Sequence, residues 1–138
     1  MASTNISPLV ATERVYADLS LDMLVHPNTA DIIPLKDVNA VKQSIKNIVL
    51  TSRGEKLFKP KFGGRVAEYL FENVTPFTAI ALKSEIEDVI KLYEPRVSDV
   101  VVKVVDNSDS NAYDITIAFR VININVGAEV SFQLKRLR

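Results

Sequence analysis

Few side chains in this sequence are equipped for chemistry, and the residue types present narrow that chemistry quickly. His26 is the one histidine, in a stretch His26-Pro27-Asn28-Thr29 that reads as a loop. Cysteine is absent, which excludes disulfides and thiolate metal sites, and a lone histidine builds no ordinary zinc site. No Gly-x-Ser-x-Gly elbow exists to present a nucleophilic serine. Gly63-Gly64-Arg65 lacks the Lys-Ser/Thr pair of a phosphate loop. Carboxylates remain. Glycoside hydrolysis needs only two at a set separation, and Glu55, Glu68, Glu72, Glu85, Glu87 and Glu94 are available. Most fall on the polar sides of amphipathic helices, where solvation explains them, and no pattern suggests a raised pKa in a cleft. Catalytic residues, metal ligands, cofactors and a small-molecule substrate are therefore not expected.

Two charged groupings carry more information. Arg53, Lys56, Lys59, Lys61 and Arg65 surround the single anion Glu55 in a loop rich in glycine and proline. Such a cluster suits an acidic partner or a nucleic-acid backbone, although a solvated loop is the simpler explanation. The interleaved Phe58 and Phe62 are expected to anchor this loop to the core. The second grouping is Glu94-Pro95-Arg96. Proline ends the preceding helix and pushes Glu94 out of the α region, so that Glu94 and Arg96 are expected to project as rigidly placed opposite charges.

These groups need elements to hold them. Alternation from Arg14 to Met23 predicts a half-buried strand with Val15, Ala17, Leu19, Leu21 and Met23 on one face. Helical spacing of Val38, Val41, Ile45, Ile48 and Val49 predicts a helix capped by Asp37 and ended by Gly54. A short helix follows with Val66, Leu70 and Phe71 inward. Thr75-Pro76 starts another, with the stripe Phe77, Leu82, Ile86, Val89, Ile90 and Tyr93 and a supporting Glu87–Lys91 pair. The remainder reads as strands. Val97 to Val105 is apolar on both faces, as in a strand covered on both sides. Residues 106–111 form a polar turn, and Tyr113 to Val121 alternates. A change of phase at Ile122 predicts a bulge or sharp bend. A last strand covers Val130, Ser131, Phe132, Gln133 and Leu134. The expected fold class is α+β: one N-terminal strand, three helices, then an antiparallel three-strand run, with the helices on one face of a small mixed or antiparallel sheet. Residues 13–138 are expected to form one domain, preceded over 1–12 by a polar arm that is either flexible or docked on a partner.

The 138 residues suffice for one hydrophobic core. Seventeen basic residues balance 17 acidic ones, so no overall field exists to hold a polyanion, and nucleic-acid binding is not expected. No apolar run approaches the length of a membrane span, and no secretory leader is recognisable in the first residues.

In order along the chain come a helix ending near Thr51, Gly54-Glu55, Pro60-x-Phe62-Gly63, a short helix ending in Leu70-Phe71, and a helix ending in Glu94-Pro95-Arg96-Val97. This order and spacing resembles the gene-25-like baseplate wedge family of contractile phage tails, with relatives in type VI secretion baseplates, over about residues 31–126. The resemblance implies a structural, non-enzymatic subunit of the virion, assembled in the host cytoplasm, whose partners are other baseplate wedge proteins and tail sheath subunits. It implies that Glu94, Pro95 and Arg96 hold the wedge core bundle, and that Gly54, Glu55, Pro60, Phe62 and Gly63 form a structural loop motif. It further implies a docking place for the first sheath ring. An exposed edge can accept extended arms of a neighbouring chain by strand addition, and the strand Val130–Leu134 is the edge expected to do so. Family members are often labelled lysozyme-like, so a peptidoglycan-cleaving enzyme is the alternative, alongside an equivalent baseplate subunit of a secretion system or tailocin.

Overall fold

The computed structural model describes residues 16–73 and 75–136. The expected arm over residues 1–12 lies outside them, as do Arg14 and Val15 of the expected first strand. The elements run β1 (Ala17–Leu19), β2 (Pro34–Lys36), α1 (Val38–Leu50), α2 (Val66–Tyr69), α3 (Pro76–Tyr93), β3 (Val97–Asn107), a 3-10 turn (Ser108–Ser110), β4 (Ala112–Val121) and β5 (Val126–Lys135). β3, β4 and β5 form an antiparallel sheet in that order, while β1 and β2 pair separately. The α+β class and the antiparallel C-terminal run are as expected.

One face of the sheet meets the helices. Ile115, Ile117, Phe119 and Val121 of β4 alternate inward and are buried against Val41, Ile45 and Val49 of α1 and Leu82, Ile86 and Ile90 of α3. Burying such a side chain contributes roughly 1.5–3 kcal/mol relative to exposure, so the alternation of β4 and the stripe of α3 fix each other. α3 begins as its sequence dictates: the Thr75 hydroxyl accepts the Thr78 N–H at 3.1 Å and Pro76 follows at the first helical position. The opposite face of the sheet carries Lys103, Arg120, Glu129 and Gln133, all exposed.

Several expectations are corrected. The N-terminal strand is only three residues long and pairs with the unforeseen β2, with Leu19 opposite Pro34. Its intended inward residues Leu19, Leu21 and Met23 are exposed, because no helix or sheet among the described residues covers that side. Asp37 precedes α1 at φ 48° but makes no side-chain cap; its N–H donates to the Tyr16 carbonyl at 2.9 Å and ties β1 to the helix. α1 ends at Leu50, where Thr51 turns extended and its hydroxyl donates to the Asn47 carbonyl, so Gly54 shapes the following loop instead. Phe71 and Phe77 are exposed. Val101 and Val105 are exposed too, since nothing among the described residues covers the outer face of β3. Glu87 pairs with Lys83, at 3.9 Å, and also accepts the Val102 N–H. The change of phase at Ile122 marks the end of β4: Val121 pairs with Val126 across a turn, and β5 starts at that residue. The irregularity of the sheet lies instead in β3, between Ser98 and Val101, with Asp99 at φ 51°.

Candidate functional site

α3 stops where Pro95 denies it a further N–H, and the chain turns through Glu94 into β3. Two backbone bonds fix this corner: the Glu94 N–H donates to the Ile90 carbonyl at 2.8 Å, and the Ile122 N–H to the Arg96 carbonyl at 3.0 Å. The two charges do not project alike, contrary to expectation. Glu94 is 2% exposed. Its carboxylate accepts Arg96 Nε on Oε1 and Arg96 Nη2 on Oε2, both at 2.5 Å, and the Ser44 hydroxyl of α1 on Oε2 at 2.6 Å. Burial pushes the Glu94 carboxyl up, but the bonds from Arg96 and Ser44 and the Arg96 charge outweigh it and hold the group below its ordinary value. The bond to Glu94 in turn raises the Arg96 guanidinium further above its already high value, against the opposing effect of burial.

Arg96 keeps 31% of its side chain exposed and lies with its guanidinium carbon 5.1 Å from the centre of the Tyr16 ring. A guanidinium has five N–H groups. Two go to Glu94; among the described residues the others meet no acceptor. The corner is thus an arginine locked in place by a buried carboxylate, with donors to spare. Ser44 and Tyr16, which complete it, were not singled out in the sequence. They sit 50 and 80 positions from their partners, and nothing local marks them.

The loop between α1 and α2 is closed by backbone bonds. Gly64 N–H donates to the Thr51 carbonyl, Arg53 N–H to the Gly64 carbonyl, and Gly54 N–H to the Pro60 carbonyl at 2.9 Å. Gly63 adopts φ 93°, and a Cβ there would lie 2.3 Å from the Thr51 carbonyl oxygen, so only glycine fits. Glu55 turns back to accept the Ser52 N–H at 2.9 Å. Phe62 packs on Tyr93 at 4.8 Å between ring centres, and the Tyr93 hydroxyl donates to the Lys61 carbonyl. The motif residues Gly54, Glu55, Pro60, Phe62 and Gly63 are therefore assembled in one closed loop beside the end of α3. Phe58 departs from expectation: it is 99% exposed at φ 64° and anchors nothing among the described residues.

The expected docking strand lies within β5, at one edge of the sheet. Val130, Phe132 and Leu134 turn toward the core, with Leu134 buried, while Ser131 and Gln133 face outward. An open groove beside Val130 is lined by Leu21, Gln43, Lys46 and Leu50.

The carboxylates take structural places. Glu85 accepts the Arg65 N–H at 2.9 Å and lies 3.7 Å from its guanidinium, and Glu55 and Glu87 accept backbone N–H groups. Glu94, the one buried carboxylate among the described residues, is held ionised, the reverse of what a general acid requires. His26 is exposed and accepts the Asn28 N–H on Nδ1. No group of three or more His, Asp or Glu among the described residues is arranged to hold a metal ion, and no helix among them is long and apolar enough to cross a membrane.

Comparison with known proteins bears on this arrangement. Residues 36–126 match the family described as baseplate wedge protein gp25, a span that includes both the glycine loop and the proline corner. Baseplate wedge protein gp25 of Enterobacteria phage T4 is 32% identical over 110 residues, or 80% of this chain and 83% of the relative. The fold is similar to that of a protein of Geobacter sulfurreducens whose suggested role is a tail lysozyme (TM-score 0.66, 23% identity, 71% of this chain and 89% of that one). It is also similar to a chain of the anti-feeding prophage baseplate (TM-score 0.64, 24% identity, 78% of this chain and 86% of that one). With a match that covers the loop, the corner and most of the sheet, the chain belongs to the gp25 baseplate wedge protein family.

Proposed function

We propose that this chain is a structural, non-enzymatic subunit of a contractile-tail baseplate, gripping neighbouring wedge proteins through the Glu94-Pro95-Arg96 corner. The observation that carries the reading is the pair of hydrogen bonds from Arg96 to buried Glu94, which fixes the guanidinium and leaves donors without a partner among the described residues. A preorganised guanidinium loses little entropy on binding and meets a carboxylate or paired carbonyls of a partner with directed bonds. Family membership supports the setting, a baseplate of a phage, tailocin or secretion particle. The particle is assembled in the host cytoplasm, and the unit that takes part is the single domain over 13–138.

The test is co-purification with the neighbouring wedge proteins. Arg96→Lys keeps a cation beside Glu94 but loses the planar fork, so the variant is expected to stay folded and to enter wedge complexes at about a tenth of wild-type yield or less. Wild-type yield would overturn the reading.

Sheath initiation is the second part of the proposal. β5 offers an edge for strand addition by an arm of a sheath subunit. Amide hydrogen exchange over residues 126–135 should slow when sheath subunits are added. Unchanged exchange with sheath bound elsewhere would remove this part and leave the first intact.

A further inference from the structure

Between the glycine loop and the last turn of α3 lies an open groove of about 550 Å³. Pro60, Phe62, Leu92 and Tyr93 supply its apolar lining, and Lys56, Lys59 and Lys61 its charge. No carboxylate lines it, because Glu55 is turned back onto the Ser52 N–H. The Lys56 ammonium sits 4.1 Å from the centre of the Phe62 ring. None of the three lysines forms an ion pair among the described residues.

The groove is rigid where it matters. Phe62 N–H donates to the Lys59 carbonyl, Lys59 N–H to the Lys56 carbonyl, and Tyr93 ties down Lys61. Beside it Leu57 and Phe58 stand 81% and 99% exposed, the latter in a left-handed conformation that an aromatic residue adopts only at a cost. Adjacent large apolar side chains held out on a closed loop are surface that a partner would cover.

We infer that this groove takes an acidic protein segment carrying an apolar side chain among its carboxylates. The lysines match its charge, and Phe62, Leu92 and Tyr93 receive the anchor, as in interfaces built on a buried apolar hot spot within a charged rim. A nucleic acid fits less well: the cations lie in one short loop of a chain whose 17 basic and 17 acidic residues cancel, leaving no track for a phosphate backbone. A lipid surface fits less well too, since the lining is concave. The inference does not depend on the role given to Glu94 and Arg96.

The test uses the full chain and fluorescence anisotropy with short labelled peptides. One carries a Leu-Phe pair flanked by glutamates, a second has lysines for the glutamates, and a third has alanines for the apolar pair. A single-stranded oligodeoxynucleotide and phosphatidylserine vesicles complete the set. The first peptide should bind at least about tenfold more tightly than every other probe. Lys59→Glu combined with Lys61→Glu should weaken it about tenfold or more, and Leu92→Ser several-fold, with unchanged circular dichroism. Lys103→Ala, on the far face of the sheet, should leave it unaltered. Absence of saturable binding, binding indifferent to the Lys59/Lys61 variant, or tighter binding of the oligonucleotide or vesicles would overturn the inference.

Discussion

Two helix ends in this molecule use charge in opposite ways. After α3 the proline corner turns its charges on each other: Glu94 is buried and spends both oxygens on Arg96 and Ser44. After α1 the glycine loop turns its one anion onto the backbone and leaves Lys56, Lys59 and Lys61 without an ion pair among the described residues, beside exposed Leu57 and Phe58. Both are rigid, but for different reasons. In the corner, electrostatics is part of the fold, so removing a charge should cost stability. In the loop, hydrogen-bonded backbone supplies the rigidity and the charges are free for something else, so removing a charge should cost only binding.

The contrast is easiest to break at the corner. Arg96→Ala leaves Glu94 buried without its counter-ion and should lower unfolding stability by about 3 kcal/mol, measured by urea denaturation near neutral pH. Replacing both partners, Glu94→Leu with Arg96→Met, should cost clearly less, since no orphaned charge remains. Equal losses would mean that the pair is not coupled.

In the loop the sensitive position is a glycine. Gly63→Ala meets both the left-handed backbone and the Thr51 carbonyl and should cost about 2 kcal/mol in the same assay. A loss below about 0.5 kcal/mol would show that the loop is held more loosely than its hydrogen bonds suggest.

Acid sharpens the comparison further. Because Glu94 in the folded chain lies below its ordinary value, near 4.3 for a free glutamate, its contribution is complete above that value and is lost as pH falls through the folded one. In Arg96→Ala the same carboxyl is left to the upward push of burial. The stability gap between wild type and Arg96→Ala should therefore begin to narrow above the ordinary glutamate value, where the variant's raised carboxyl takes up its proton, and keep narrowing as pH falls through the lowered value of the wild type; a constant gap would locate the effect outside Glu94. The smallest effect is expected at the loop tip. Phe58→Gly relieves a left-handed aromatic and should raise stability by about 0.5–1 kcal/mol, and a loss of that size would show that the ring packs on the chain after all.

The parts of the molecule legible in its sequence are those where two periodic surfaces meet. The stripe Leu82, Ile86 and Ile90 and the alternation Ile115, Ile117, Phe119 select each other, so either pattern alone gives the right face. Leu19, Leu21 and Met23 alternate just as cleanly yet are exposed, because period reports a face and not whether anything covers it. The same limit hid the bare outer face of β3, where Val101 and Val105 look outward. Ile122 misled differently: a turn at the end of a strand shifts the phase just as a bulge does. At the corner, Pro95 located the turn, but the inward swing of Glu94 depends on Ser44, half the helical layer away in sequence, and no local pattern encodes that bond. The loop motif was visible through Gly63 and Pro60, whereas the exposure of Phe58 follows from a left-handed residue that only coordinates reveal.

A cryo-EM map of the chain bound to its wedge neighbours tests the central claim most directly. It should place a partner carboxylate or carbonyl pair on the free donors of Arg96 while both bonds to Glu94 persist. A map in which Arg96 faces only solvent, or swings away from Glu94 to reach its partner, would contradict it.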